Sequence, residues 1–439
     1  MTDRTLPTGK TTAAAMRGGA RPGGPGFLAR YGLWIFAIIV MIAAPQFMTS
    51  GFSRSMLSQI GIAIIFALSY NMLLGQGGML SFGHAVFYGL GGFAAIHVLN
   101  EISPDGFPLP LELLPLAGGI GAMVFGVIFG WISTARAGTT FAMISLGIGE
   151  LVYAGTSMFP DQFGGESGIS GNRVTDTSLF FGYGPQVEVY YLIAVWCLIS
   201  TVVMYLLTRT PLGRMANAVR DNEERVRFVG YDPRIVRFVQ YVLASFFAGI
   251  AGGLTAINYE IVTAENVSAV TSGSVLLMTF IGGVGNFAGP IIGAILVTIL
   301  QLSLSSVTET WQLYFGLLFV VMVMFAPMGF AGVIMAHQPV WQAGRMGRLV
   351  VPYAIGLVTF LIMGAGLVAL IEMNYYMSTT YDASIPMVLF GQEVSVHETL
   401  PWALAVAATV IGGYLFRLAI RRIIRAWDAV VAEIKQGGA

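Results

Sequence analysis

The charged side chains of this chain are concentrated in one short segment. Eleven of its 44 aspartate, glutamate, lysine and arginine residues lie between Arg209 and Arg237. Mixed charges at this density are suited to recognition of another protein. The histidines, the single cysteine and the carboxylates do not have the spacing of a metal site, and no nucleophile stands with a partner base. We therefore expect recognition rather than catalysis, with no catalytic residue, no metal ion and no directly bound cofactor.

The charged segment carries the signals of one short amphipathic helix. Thr210 and Pro211 are suited to the N-cap and the first helical position, and Gly230 is suited to the C-terminal stop. Apolar residues recur between them at helical spacing, namely Leu212, Met215, Val219, Val226 and Val229. The sequence therefore predicts a helix from Thr210 to Gly230 with one apolar face.

Two acid-first pairs lie on the polar face of this predicted helix. Asp221 precedes Arg225 by four residues, and Glu223 precedes Arg227 by the same distance. Each exposed pair of this kind contributes only about 0.3–0.5 kcal/mol to helix stability. Two interpretations therefore stay open, a solvated loop helix and a helix that docks in a groove of a cytoplasmic partner.

Elsewhere the chain is apolar enough to cross a membrane repeatedly. Its mean hydropathy is +0.77 and 56% of its residues are hydrophobic. Apolar runs of about 17 to 25 residues match the ~30 Å thickness of the bilayer hydrocarbon. Twelve spans are predicted, at residues 31–48, 54–74, 81–99, 111–132, 139–159, 187–208, 238–259, 268–283, 287–304, 311–333, 349–371 and 398–419. The predicted fold class is an all-α polytopic integral membrane protein, with about ten core transmembrane helices and a C-terminal two-helix hairpin.

The distribution of basic residues predicts the orientation. With twelve spans, both termini lie on the same side of the membrane. Of the 22 lysine and arginine residues, only Arg54 and Arg173 then fall in external loops. By the positive-inside rule, the termini and the segment 209–237 are cytoplasmic.

Four ordered motifs carry a resemblance to a known family. The stretch from Thr210 to Gly230, with Arg214, Arg220, Asn222, Glu223 and Arg225, resembles the cytoplasmic coupling loop of LivH/LivM-type permeases of branched-chain amino acid ABC importers. The stretch from Gly75 to Ala85 resembles the first glycine-rich segment of that family, and the stretch from Leu276 to Gly293 resembles the second. The stretch from Phe163 to Gly171 resembles the external loop of the LivM half. Met79, Val226 and Arg227 depart from the family pattern and affect the detailed docking contacts.

This resemblance implies a permease subunit that is not itself an enzyme. It implies that this chain lies in the bacterial inner membrane. Its implied partners are a second LivH-like permease subunit, two cytoplasmic ATPase subunits that bind ATP and magnesium, and a periplasmic or extracellular solute-binding protein. The implied ATPase-coupling residues are Arg214, Arg220, Asn222, Glu223, Arg225 and Gly230. Leucine, isoleucine and valine are the expected solutes. Urea, short amides or other amino acids remain alternatives, as does an ion-coupled secondary transporter.

The glycine-interrupted segments are the best indication of the solute pathway. They lie in the two halves of the core, where broken helices expose backbone groups near the membrane midplane. Glu150 is the only acidic residue deep within a predicted span and should face protein or water. The predicted pathway residues are Gln76, Gly78, Ser81, His84, Glu150, Gly283 and Asn286. The alternative is that these glycines serve only close helix packing, as predicted for Gly249 and Gly253.

The remaining predictions concern the loops and the domains. Glu166 and Ser170, in the external loop, are predicted to contact the binding protein. Residues 1–30 are predicted to be a disordered cytoplasmic N-terminus, and residues 31–336 the permease core with its coupling loop at 209–237. Residues 337–419 should add a two-helix hairpin, and residues 420–439 a basic amphipathic tail that lies at the lipid surface.

Overall fold

The computed structural model describes residues 27–102, 109–175, 177–326, 328–380 and 387–437. Residues 1–26 of the predicted N-terminal segment lie outside this part of the chain, as do 438–439 of the predicted tail. The chain divides into two units, Met1–Thr49 and Ser50–Ala439. In the first unit, α1 is a 21-residue apolar helix, Phe27–Phe47, with Pro45 in its last turn.

The second unit is built from helices together with two pairs of short antiparallel strands. Its helices are α2 Gly51–Asn71, α3 Ala85–Glu101, α4 Leu114–Ser133, α5 Thr139–Met158, α6 Pro160–Phe163, α7 Gln186–Arg209, α8 Pro211–Asp221, α9 Glu223–Phe228, α10 Pro233–Tyr259, α11 Ala269–Gly282, α12 Ala288–Ser305, α13 Trp311–Phe325, α14 Gly329–Gln342, α15 Gly347–Thr379 and α16 Thr399–Gly437. The strands are β1 Ile169–Ser170, β2 Ile261–Val262, β3 Met387–Leu389 and β4 Gln392–Val394. The antiparallel pairs are β1 with β2 and β3 with β4.

The predicted all-α polytopic fold class is confirmed. Within the described ranges, eight helices are long and apolar enough to cross a membrane, or nine if α13 and α14 count as one span. Every predicted span overlaps a helix. Two of these helices are short for a membrane span, since α3 has 17 residues and α11 has 14. At 1.5 Å per residue, α11 is about 21 Å long, which is shorter than the hydrocarbon layer. Each of these two short helices adjoins a glycine-rich segment.

One predicted span is not a single straight helix. The apolar run at 311–333 forms α13 and the start of α14, which are bent by 43° relative to one another. Ala326 leaves the helical conformation, with φ −134° and ψ 63°, and Gly329 has φ +63°. A β-carbon on Gly329 would lie 2.4 Å from the backbone nitrogen of Gly283. A left-handed glycine that packs on the second glycine-rich segment therefore lies at the bend.

The core of the second unit is the contact of α10 with α3 and α4. Small residues let these helices approach closely, because a β-carbon on Gly249 would lie 2.4 Å from the carbonyl oxygen of Gly118. A β-carbon on Gly253 would lie 3.0 Å from Cα of Pro115. The packing role predicted for Gly249 and Gly253 is therefore confirmed.

The C-terminal hairpin consists of α15 packed antiparallel against α16. A cluster of Ala369, Met373, Met387, Val396 and Ala405 joins the two helices to the β3–β4 pair. Glu372 ties α15 to the core, since its Oε1 accepts hydrogen bonds from the hydroxyl groups of Thr308, Thr310 and Tyr314 at 2.6–2.8 Å. At the other end of the hairpin, Glu433 pairs with Arg345 and Arg348. The helix α16 runs without a break from the predicted span into the predicted tail.

Candidate coupling site at the glycine-rich junction

The charged segment forms two helices, not the single helix that the periodicity predicts. The break is Asn222, whose backbone is extended at φ −163° and ψ 106°. Its Oδ1 accepts a hydrogen bond from the backbone nitrogen of Arg225 at 3.0 Å, so Asn222 is the N-cap of α9. Because of this break, the predicted pair of Asp221 with Arg225 is replaced by an ion pair between Asp221 and Arg220 at 3.0 Å.

The predicted signals at Thr210 and Gly230 are confirmed, and the structure adds a cap at Asp232 that was not predicted. Thr210 caps α8, with its Oγ1 3.4 Å from the backbone nitrogen of Gly213. Asp232 caps α10 by accepting from the backbone nitrogen of Arg234 at 2.8 Å. Gly230 follows the end of α9 with φ +91°, a conformation that favours glycine. The three helices α8, α9 and α10 therefore have fixed starting points and form a defined surface.

An apolar cluster holds α8 and α9 against the start of α10. It consists of Ala216, Val219, Val226 and Val236, with Leu212, Met215 and Ala218 packed around it. Val229 was predicted to belong to the same face but is 66% exposed, because the break at Asn222 changes the direction of α9. Phe228 beside it is 90% exposed. This segment thus has one apolar side packed on the protein and an exposed apolar end.

Arg220 links this segment to the first glycine-rich segment. Its Nη1 donates a hydrogen bond to the carbonyl oxygen of Gly75. A β-carbon on Gly78, where φ is +65°, would lie 2.7 Å from Cγ of Arg220. The absence of a side chain at Gly78 is therefore what lets the Arg220 side chain pass along the glycine segment.

The two glycine-rich segments meet beside this contact. A β-carbon on Gly75 would lie 3.2 Å from the backbone nitrogen of Gly285 in the second segment. The residues Met72–Gln76 form a π-helical turn, which is a common form of helix interruption at functional sites. Gln240 of α10 holds this turn, as its Nε2 donates to the carbonyl oxygen of Met72 at 2.9 Å and to Oε1 of Gln76 at 3.1 Å.

A second charged contact joins α9 to α10. Glu223 forms an ion pair with Nη1 of Arg237, whose side chain is only 7% exposed. Arg227 lies farther from Glu223, at 3.9 Å, in the i,i+4 arrangement that the sequence predicts. The charged segment is thus attached at two charged points, Arg220 at the junction where the two glycine-rich segments meet and Glu223 on α10.

The predicted pathway residues do not form one lining. Gln76, Ser81 and His84 are buried inside the unit. The Nε2 atom of His84 lies 2.9 Å from the Ser69 hydroxyl group, and its ring stacks on Phe66. Asn286 donates instead to the sulfur atom of Met335, at 3.0 Å. These positions are part of the glycine junction or of the interior, and their role in solute passage stays a prediction.

Glu150 is exposed on α5 and forms no ion pair with any of the described residues. The helix α5 packs on the first glycine-rich segment through its opposite side, where the Ser145 hydroxyl group accepts a hydrogen bond from the backbone nitrogen of Phe82 at 3.0 Å. Gly149 also lies against this segment, since its β-carbon would be 3.3 Å from Cα of Gly83. An exposed carboxylate in an apolar helix needs water or another protein beside it.

The loop predicted to meet a binding protein is partly structured. Ser170 belongs to β1, and its carbonyl oxygen accepts from Nδ2 of Asn100 at 3.1 Å. Arg173 donates to the carbonyl oxygens of Tyr183 and Gly184. Glu166 and Ser170 are both exposed. The loop is therefore anchored at its base, with its acidic end accessible.

Comparison with known proteins identifies the family. The family model described as "Branched-chain amino acid transport system / permease component" matches residues 53–327, which is more than half of the chain. This chain belongs to that family. The permease is 30% identical over 319 residues to the high-affinity branched-chain amino acid transport system permease protein LivM of Salmonella typhimurium, covering 68% of this chain and 74% of that protein. The LivM protein of Escherichia coli matches with the same identity and coverage.

More distant relatives carry other names. The galactose/methyl galactoside import permease protein MglC of Haemophilus influenzae is 25% identical over 306 residues, covering 64% of this chain and 87% of that protein. No solved structure gives a significant match. The chain is thus a multi-span permease of the bacterial ABC importer family, and its relatives are transporter subunits rather than enzymes.

Sequence reasoning missed a polar cavity inside this permease. A cavity of about 190 Å³ lies between α2, α3, α10, α11 and α12. It is lined by Gln59, Tyr88, Thr255, Tyr259, Thr271, Ser274, Thr298 and Gln301, together with apolar residues. None of the predicted pathway residues lines it. Its polar residues come from five helices, so that no local motif in the sequence could have indicated it.

Proposed function

We propose that this permease forms half of a transmembrane pathway for leucine, isoleucine and valine. Family membership makes it an ABC importer permease. The two LivM proteins are each 30% identical to this chain. The galactose/methyl galactoside permeases match at lower identity. The similarity therefore favours branched-chain amino acids over sugars as the solute.

The contact of Arg220 with Gly75 is the observation that carries the proposed mechanism. A coupling element must touch both a cytoplasmic partner and the part of the membrane domain that changes shape. The helices α8 and α9 carry exposed charges and the exposed Phe228 on one side. On the other side, Arg220 reaches the place where the two glycine-rich segments meet. The segment is thus suited to transmit a movement from a partner to this junction.

The proposed cycle uses two arrangements of this junction. When ATP closes the ATPase dimer, α8 and α9 move with it, and Arg220 and Glu223 carry the movement to the π-helical turn and to α10. Glycine at positions 75, 78 and 285 leaves space for the backbones to shift. Packed helices switch between discrete arrangements, so that a small movement opens one side of the pathway. In this proposal, Arg214, Asn222, Arg225 and Gly230 shape the docking surface.

The assembly that we propose contains two ATPase subunits, which bind ATP and magnesium, and a LivH-like second permease. It lies in the bacterial inner membrane with both termini of this chain in the cytoplasm. An external binding protein delivers the solute at the loop that bears Glu166 and Ser170. The exposed Glu150 faces the second permease across the pathway, where water or polar groups solvate its carboxylate. Gln76, Gly78, Ser81, His84, Gly283 and Asn286 adjust the opening beside it.

Purification through a tag on this chain tests the proposal. We expect two ATPase subunits and a second permease to copurify, and we expect a leucine-loaded binding protein to raise ATP hydrolysis in lipid vesicles. A galactose-loaded binding protein is the control and should leave hydrolysis at the basal rate. Stimulation by urea, amides or another amino acid instead of leucine would reject the proposed solute. A chain that purifies alone and moves solute down an ion gradient would reject the ABC mechanism in favour of a secondary transporter.

A further inference from the structure

An aromatic cavity lies at the start of α4, away from the coupling site. Its volume is about 280 Å³, and it is lined by Glu112, Phe180, Phe181, Tyr183, Tyr191, Leu192, Val195, Trp196 and Ile199. Five of these residues are aromatic, and Glu112 supplies the only carboxylate of the lining. Aromatic faces and a carboxylate together attract cations, most of all alkylammonium groups.

The carboxylate of Glu112 has one oxygen committed to the protein and one that is not. Its Oε1 accepts hydrogen bonds from the backbone nitrogens of Leu179 and Phe180 at 2.9 and 3.1 Å, and from the Tyr183 hydroxyl group at 2.9 Å. Its Oε2 is buried and has no hydrogen-bond partner among the described residues. A buried carboxylate oxygen without a partner is costly, so that this atom indicates a missing donor.

Tyr183 is held in an unusual conformation beside this oxygen. Its φ is +54°, which few residues other than glycine adopt. Glu188 accepts from its backbone nitrogen at 2.8 Å, and Arg173 donates to its carbonyl oxygen at 2.8 Å. Burial, together with the hydrogen bond to Glu112, raises the pKa of the Tyr183 hydroxyl group, which therefore stays a donor. Strain of this kind persists where the surroundings enforce it, often at binding sites.

The shape of the cavity indicates which cation it receives. The lining continues from Glu112 onto α7, where Val195 is 56% exposed and Ile199 is 46% exposed. The helix α7 is apolar enough to cross the membrane. An occupant that fills the whole cavity therefore has a cationic head and an apolar part that lies along a membrane-spanning helix. A small soluble cation has no such apolar part, and a lysine of a soluble protein offers only a four-carbon stem.

We propose that this cavity binds a membrane lipid whose headgroup carries an ammonium group, such as phosphatidylethanolamine. The ammonium group donates to Oε2 of Glu112 between the aromatic rings, and an acyl chain lies along Leu192, Val195 and Ile199. The headgroup of phosphatidylglycerol carries the same negative phosphate but no cation, and therefore leaves the carboxylate of Glu112 unpaired. The proposal is independent of which solute the permease transports.

Native mass spectrometry of the full complex, purified in detergent and titrated with lipid, tests this site. The probes are phosphatidylethanolamine and phosphatidylglycerol with identical acyl chains. We expect the wild type to bind the ethanolamine lipid about tenfold more tightly, which corresponds to ~1.4 kcal/mol. Glu112→Gln keeps a hydrogen-bond acceptor for Tyr183 but removes the charge, and should abolish this preference.

Glu188→Gln is the matched control. Glu188 also bonds to Tyr183, but it does not line the cavity, so that its substitution should leave the tenfold preference intact. Phe181→Leu keeps an apolar side chain, loses the aromatic face and should reduce the preference without affecting the assembly of the complex. Equal binding of the two lipids by the wild type would overturn the proposal, as would an equal loss in the Glu188 variant. Displacement of the bound lipid by millimolar tetramethylammonium chloride would assign the site to a soluble cation instead.

Discussion

The ion pair between Glu223 and Arg237 gives the sharpest test of how the coupling segment is held. Arg237 is buried at the start of α10, and Glu223 is the residue that pairs with its guanidinium group. The Nε atom of Arg237 has no hydrogen-bond partner among the described residues. Glu223→Gln would therefore leave a buried positive charge without a counter-charge. We expect α9 to lose its fixed position on α10 and the permease to bind its ATPase subunits more weakly.

The magnitude follows from the burial of the two partners. Breaking a fully buried pair costs about 3–5 kcal/mol, whereas an exposed pair contributes about 0–1 kcal/mol. The Arg237 side chain is 7% exposed and that of Glu223 is 35% exposed, so that water screens one partner. The cost is then intermediate, about 2 kcal/mol. We propose that the ATPase subunits bind only when α9 is held on α10, so that this cost raises their dissociation constant about 30-fold.

A double-mutant cycle on that dissociation constant measures the pair. Glu223→Gln and Arg237→Gln should each weaken binding, and the double variant should recover most of the loss because no unpaired charge remains. Glu433→Gln, which removes a carboxylate paired with Arg345 and Arg348 in the C-terminal region, is the control and should leave binding unchanged. A coupling energy below about 0.5 kcal/mol would refute the reasoning, because the two side chains would then act independently.

Three further predictions concern packing, capping and the hairpin. Gly83→Ala places a β-carbon 2.1 Å from the carbonyl oxygen of Ser145. We expect this variant to give a lower yield of folded protein in size-exclusion chromatography. Gly147→Ala is the control and should keep the yield of the wild type, because the space around Gly147 is open. Thr210→Ala removes the cap of α8 and should lower stability by about 1 kcal/mol, seen as a lower melting temperature. Glu372→Ala removes the acceptor of three hydroxyl groups and should speed proteolysis between the core and α15; unchanged cleavage would contradict this.

Patterns that are local in sequence predicted most of the fold. The apolar runs gave the positions of the helices, because lipid requires each segment to pair its own backbone groups. The cap at Thr210 was predicted from its place before Pro211, and Asp232, which was not predicted, caps α10 from the same place before Pro233. The sequence does contain a signal for the break at Asn222, since asparagine followed by two glutamates is an N-terminal helix signature. The regular apolar spacing on both sides of Asn222 nevertheless led to the prediction of one continuous helix.

The contacts of the candidate site were not readable from the sequence. Arg220 and Gly75 are far apart in the chain, and nothing local to either residue indicates the other. The same holds for Glu112 and Tyr183, which lie just before α4 and α7 and are joined by a hydrogen bond across 71 positions of the chain. Glu150 was expected to face protein or water, and the structure shows only that its side chain is exposed on α5. Tertiary contacts of this kind follow from how helices pack, which hydropathy alone does not specify.

The number of solute molecules moved per ATP hydrolysed, with Arg220→Gln in lipid vesicles, tests the central claim most directly. Losing a charged hydrogen bond of about 1.5–3 kcal/mol should lower this ratio by about tenfold or more, while hydrolysis continues. Arg136→Gln, which changes an exposed arginine between α4 and α5, should leave the ratio unchanged. A wild-type ratio in the Arg220 variant would contradict the proposal that this residue carries the movement of the ATPase to the glycine junction.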